Sequence, residues 1–170
     1  DEAKAAALFH KAAEQGLAVA QLNLAFAYAD GSGVPRDDTQ AMNWCRKAAD
    51  QGLAEAQNYL GMMYQQGRGA PQDYAEALKW YRKAAELGNG PGQFNLGSLY
   101  EKGWGVKADP AEALNWFLKS AGQGFVPAQT YIGFMYAEGR GVPQDDTEAF
   151  VWFSKAAEQG DAYAQSSLGL

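Results

Sequence analysis

A chain of 170 residues, 47% of them hydrophobic, has enough apolar content to bury a continuous core. Its formal net charge of −6 argues against nucleic acid, whose phosphates reward clustered Lys and Arg, and against docking on an anionic membrane surface. No stretch approaches the roughly 20 apolar residues of a membrane span, so no membrane insertion is expected, and the one cysteine, Cys45, allows no intrachain disulfide.

The sequence opens on Asp1 without Met or a signal-peptide pattern, which reads as a processed or excised chain with any targeting segment outside it. Residues 1–16 read as the second helix of a helical pair whose first helix is absent, and they end on the tail Lys11 to Gly16. That tail returns as Lys47 to Gly52, Lys83 to Gly88, Lys119 to Gly124 and Lys155 to Gly160, a period of 36 residues without slip. Residues 17–52, 53–88, 89–124 and 125–160 are therefore complete repeats, and 161–170 begin another. All belong to a single repeat domain.

Each complete repeat divides into two helices. In the first, Ala20, Leu24 and Tyr28 stand four apart, as do Ala56, Leu60 and Tyr64, or Ala128, Ile132 and Tyr136, which places them on one helical face. Paired glycines then stop the helix: Gly31 and Gly33, Gly67 and Gly69, Gly103 and Gly105, Gly139 and Gly141. Asp37, Asp73, Asp109 and Asp145, each followed three residues on by Gln40, Glu76, Glu112 or Glu148, predict a reciprocal capping box opening the second helix. Ala41, Trp44 and Ala48 and their counterparts line its packed face, widened by Cys45, Tyr81, Phe117 or Phe153.

The glycine column Gly61, Gly97 and Gly133, with Ala25 in the first copy, predicts a close approach of two backbones. Asn89 to Gly92, with glycines at 90 and 92, predicts a later or frayed start to the first helix of the third repeat, and Gly122 a loosened end to its second. Leu8, Phe9, Leu168 and Leu170 are uncovered at the ends. They mark either a segment of a longer array or ends that meet neighbouring molecules in end-to-end self-association.

Residues with chemical potential are few. His10, the single histidine, shares a column with Arg46 and Arg82 and reads as a surface residue. Cys45 stands in an aromatic column and reads as a packing thiol. One His and one Cys do not make a zinc site, no catalytic set is apparent, and no cofactor is expected. The G-x-G loops follow helices and lack the Lys-Ser/Thr of a phosphate loop. Gln21, Gln57, Gln93, Gln129 and Gln165 read as an internal hydrogen-bonding ladder.

The recurring A-x-A-Q-x-x-L-G-x-x-Y, G-x-G-V, D-x-x-x-A and W-[YF]-x-K-A-A-x-x-G together resemble the Sel1-like repeats, relatives of the tetratricopeptide repeats. The likeness covers the whole chain and is fullest from Ala54 to Gly88. It implies an all-α, right-handed superhelical α/α solenoid of 36-residue helix-turn-helix repeats. It also implies a non-catalytic bacterial scaffold or adaptor that binds a partner peptide or helix on its concave face, and a periplasmic or secreted setting ahead of the cytoplasm. Two alternatives stay open: a regulatory repeat module of a larger enzyme or signalling protein, and a cell-wall-directed hydrolase. The cysteine-rich relatives reported as hydrolases carry a disulfide in each repeat, which this chain lacks.

The first-helix face opposite the Ala-Leu-Tyr stripe carries the candidate partner-binding residues Leu22, Phe26, Asn58, Met62, Phe94, Ser98, Thr130 and Phe134. Their columns vary while the scaffold columns repeat. Asn23, Glu55, Asn95, Glu101 and Lys102 edge the expected groove, and each of its apolar side chains has the alternative of packing within its own repeat. Trp104, between two loop glycines, is a further contact candidate.

Overall fold

Every described helix but the last spans the same 13 residues, the direct outcome of a sequence period that never slips. The computed structural model describes residues 2–169, so the expectation for Leu170 lies outside them. The helices are α1 (Glu2–Glu14), α2 (Ala18–Asp30), α3 (Asp38–Asp50), α4 (Ala54–Gln66), α5 (Tyr74–Glu86), α6 (Gly90–Lys102), α7 (Pro110–Gly122), α8 (Val126–Glu138), α9 (Asp146–Glu158) and α10 (Ala162–Leu168). Among the described residues there is no strand, and no helix is long and apolar enough to cross a membrane.

The chain divides into two compact units, Asp1–Gly92 and Gln93–Leu170, with the boundary inside α6. In the N-terminal unit α2 packs on α1 and α3, and α4 packs on α3 and α5. Leu24, Cys45, Leu60 and Tyr81 are fully buried there among the alanines of the stripe. In the C-terminal unit α8 packs on α7 and α9, and α10 covers α9. Phe117, Ile132 and Met135 form its centre, and Phe153, Ala156 and Ala164 a second cluster. A 13-residue helix is marginal alone, so these contacts supply the stability that propensity does not.

The helix boundaries follow from named groups. Gly31, Gly67 and Gly139 adopt left-handed φ angles of 77°, 69° and 66° and end α2, α4 and α8. Asp37, Asp73 and Asp145 each accept two hydrogen bonds from first-turn N–H groups, and Asp109 accepts one from Glu112. The reciprocal half of the expected box is taken over by the preceding helix. The backbone N–H of Asp37, Asp73, Asp109 and Asp145 donates to the carbonyl of Tyr28, Tyr64, Tyr100 and Tyr136 at 2.8–3.0 Å, a bond that ties each first helix to the start of its second. Glu112 instead accepts from the Trp116 indole at 2.8 Å.

Two expectations at the third repeat need correction. The first helix there, α6, starts in register at Gly90, because the Asn89 side chain accepts from the Gly92 N–H at 2.7 Å and caps it. A Cβ on Gly92 would lie 2.8 Å from the Ala84 Cβ, so this glycine serves close packing rather than disorder. The second helix, α7, likewise runs its full length to Gly122. No atom lies within 4 Å of a Cβ built on Gly122, so Gly122→Ala should raise stability by about 0.5–1 kcal/mol in urea unfolding. A loss instead would mean that the helix end is not formed as described.

The mid-helix glycines are required by rings, chiefly, and not by two backbones. A Cβ on Gly61, Gly97 or Gly133 would approach the ring of Tyr81, Phe117 or Phe153 to 2.6–2.8 Å, and at Gly97 a backbone atom, Ala113 O at 3.0 Å, also intrudes. In the first complete repeat the column holds Ala25, and the ring's place is taken by the small Cys45. The Cys45 thiol donates to the Ala56 carbonyl at 3.2 Å, and burial pushes its pKa up to about 12. Native protein at pH 8 should therefore resist alkylation and label only after unfolding; rapid labelling of folded protein would contradict this packing.

Candidate functional site

The site expected on the first helices separates into side chains that face outward and side chains that the fold consumes. Phe26 on α2 is 38% exposed and stands edge-on to Tyr59 of α4, with ring centroids 4.7 Å apart. Met62, one repeat further along the same column, is half-buried on α4, and so is Asn58. Leu22 and Thr130 are buried, at 7% exposure each, and Thr130 Oγ1 donates to the Val126 carbonyl. These two are withdrawn from the contact surface.

In the C-terminal unit the aromatic candidates mostly pack inward. Phe94 meets the rings of Phe117, Phe125 and Tyr131 within 6.0 Å, and Phe134 meets Phe153 at 5.0 Å. The Ser98 hydroxyl donates to the Phe94 carbonyl. Trp104 is half-buried beneath the Lys102 ammonium, 4.4 Å from its ring centroid. Lys47, Lys83, Lys119 and Lys155 cover Trp44, Trp80, Trp116 and Trp152 in the same manner at 3.9–4.3 Å.

Glu101 is not a rim charge. Its carboxylate, 12% exposed, accepts from Arg140 at 2.9 Å and from the Tyr131 hydroxyl. Burial, with Glu101 alongside, raises the Tyr131 pKa to about 12. In the N-terminal unit Arg68 binds Asp38 at 2.5 Å and also reaches the Ala29 carbonyl. The Arg68 guanidinium holds the Asp38 carboxyl below its ordinary value. These networks join positions 30 and 39 residues apart, through arginines that sit in the loop column shared with Ser32 and Trp104.

The outward side chains surround a cleft. Phe26 and Asn23 of α2 and Phe9 of α1 line a cavity of about 280 Å³, edged by Glu2 and Asp30. It is apolar at its floor and acidic at its rim. Among the described residues no cluster of His, Cys, Asp and Glu could hold a metal ion.

Comparison with known proteins places this geometry. The Sel1 repeat model matches residues 1–17, 18–53, 54–89, 90–125 and 126–161. The chain belongs to the Sel1 repeat family. Its fold is a solenoid of helical repeats, and Sel1 repeats generally serve as protein-interaction modules. A similar solved structure is that of c5321, a protective antigen of uropathogenic Escherichia coli strains, with 46% identity and a TM-score of 0.93. A Sel1 repeat protein from Oxalobacter formigenes shares 37% identity with a TM-score of 0.90. In both cases 96% of this chain is covered, and it spans 35% and 65% of the respective relatives. Cysteine rich protein B of Helicobacter pylori is 25% identical over 77% of this chain and 94% of its own, with a TM-score of 0.61. No curated protein sequence matches.

Proposed function

We propose that this Sel1 repeat chain is a non-catalytic scaffold that binds a partner helix or extended peptide on the first-helix face of its N-terminal unit. Phe26 and Met62 are its apolar anchors. The observation that carries this reading is the exposure of Phe26 beside the cleft it shares with Phe9. Large aromatic side chains concentrate binding energy when a partner desolvates them. The Glu2 and Asp30 carboxylates favour a partner segment with a basic residue next to its apolar one. The spacing of one repeat between Phe26 and Met62 suits a segment that crosses α2 and α4. The same role serves a repeat module within a larger regulatory or signalling protein.

The test uses a peptide selected from a display library against the whole chain. Phe26→Ala and Met62→Ala should each weaken its binding about tenfold or more, with helicity retained. Undiminished affinity in both folded variants would overturn the assignment.

A further inference from the structure

The glutamine ladder has one broken rung. Each ladder glutamine whose amide bond is described donates back to an alanine carbonyl of the preceding helix, as Gln21 does to Ala13 and Gln57 to Ala49, both at 3.1 Å. Three of the ladder glutamines accept from a second glutamine. Gln51 donates to Gln21, Gln123 to Gln93 and Gln159 to Gln129, each at 2.7 Å. Leu87 stands where those donors stand, and Gln57 Oε1 is a buried acceptor without a hydrogen-bond partner.

Neither backbone nor amide orientation accounts for the gap. Leu87 has φ −81° and ψ 5°, against −80° and 0° at Gln51, so both side chains leave the helix end in the same direction. Turning the Gln57 amide over would set its oxygen against the Ala49 carbonyl, two acceptors face to face. Gln57 is 95% buried, by its 5% exposure, and its carbonyl bears the desolvation penalty of an unmade bond.

A cavity of about 310 Å³ is lined by Gly52, Gln57, Lys83, Glu86 and Leu87. Gly52 contributes no side chain, and Leu87 is 59% exposed, with room to rotate outward and uncover the acceptor. Lys83, held over Trp80 at 4.1 Å, offers a donor, and Glu86 offers an acceptor. Those are the two complements of an amide group.

We propose that this cavity receives a carboxamide side chain, Asn or Gln, from a bound protein segment. Its N–H donates to Gln57 Oε1 and restores the missing rung. The sister rungs define the chemistry, since a neutral glutamine amide fills the equivalent place at 2.7 Å. Lys83 and Glu86 offset each other's charge on the wall, which suits a neutral occupant. Only the source of the amide rests on the scaffold reading; the receptor itself is independent of Phe26 and Met62.

The experiment titrates isotope-labelled chain with N-acetylglutamine methylamide and follows the side-chain amide signals of the ladder glutamines by NMR. The Gln57 signal should shift saturably, with a dissociation constant on the order of millimolar, while Gln21, Gln93 and Gln129 do not respond. Leu87→Ala should retain the response, and Leu87→Gln, which supplies its own donor, should abolish it. N-acetylleucine methylamide should have no effect. The proposal is overturned by the absence of a saturable Gln57 shift in both wild type and Leu87→Ala, by an undiminished shift in Leu87→Gln, or by equal responses to the two probes. None of these outcomes bears on the first-helix face, whose test uses other residues.

Discussion

Gly69→Ala should lower the stability of the chain by about 2–5 kcal/mol, while Gly52→Ala should cost only about 1–2 kcal/mol. Both glycines have positive φ, 76° and 86°, so both substitutions carry the left-handed penalty. Only Gly69 has a neighbour in the way. A Cβ there would fall 2.3 Å from the Asp38 carbonyl oxygen and 2.9 Å from the Met42 Cβ, whereas nothing lies within 4 Å at Gly52. The second loop glycine is therefore where one repeat rests on the helix start of the previous one. Gly33 repeats the relation, 2.3 Å from the Glu2 oxygen. Urea unfolding of the two variants checks the difference, and equal losses would mean that the loop does not pack against α3.

The exchange of ring for glycine makes a second strong prediction. Gly61→Ala should cost about 1–3 kcal/mol by forcing its Cβ into the Tyr81 ring, and Tyr81→Cys about 3–5 kcal/mol by emptying a fully buried site. The double variant copies the Ala25 and Cys45 pair of the first complete repeat. It should be more stable than the sum of the single losses predicts, by about 0.5–3 kcal/mol. Tyr81→Cys also removes the hydroxyl bond to Gln65 Oε1, a loss common to the single and double variants. Strict additivity in a double-mutant cycle would contradict the close packing of this column.

Much of this architecture is legible in the amino-acid sequence, because each column repeats the same local physics. The glycines at 36-residue spacing, the aspartate caps and the alanine-tyrosine stripe all depend on neighbours close along the chain. The features that are not legible depend on what faces a residue from another helix. Gly92 has the composition of a helix breaker, and its fit against Ala84 is a contact between helices that no local pattern records. The glutamates of the capping sequence suggest a reciprocal box, but a tyrosine carbonyl of the preceding helix claims the aspartate N–H. Leu22 and Thr130 match the outward face by angle alone, yet both are buried in the fold. The ion pairs of Arg68 and Arg140 join residues far apart in sequence, and only the arginines that stand in the loop column of Ser32 hint at them.

The docking face can be read most directly from the methionine methyl groups. The chain has four methionines. Met42, Met63 and Met135 are at most 4% exposed, whereas Met62 is half-buried on the proposed face. Methyl-labelled protein titrated with the selected peptide should show a saturable shift at Met62, with the other three signals nearly still. An unmoved Met62 signal under saturating peptide, or larger shifts at Met42 or Met135, would contradict the proposed binding face.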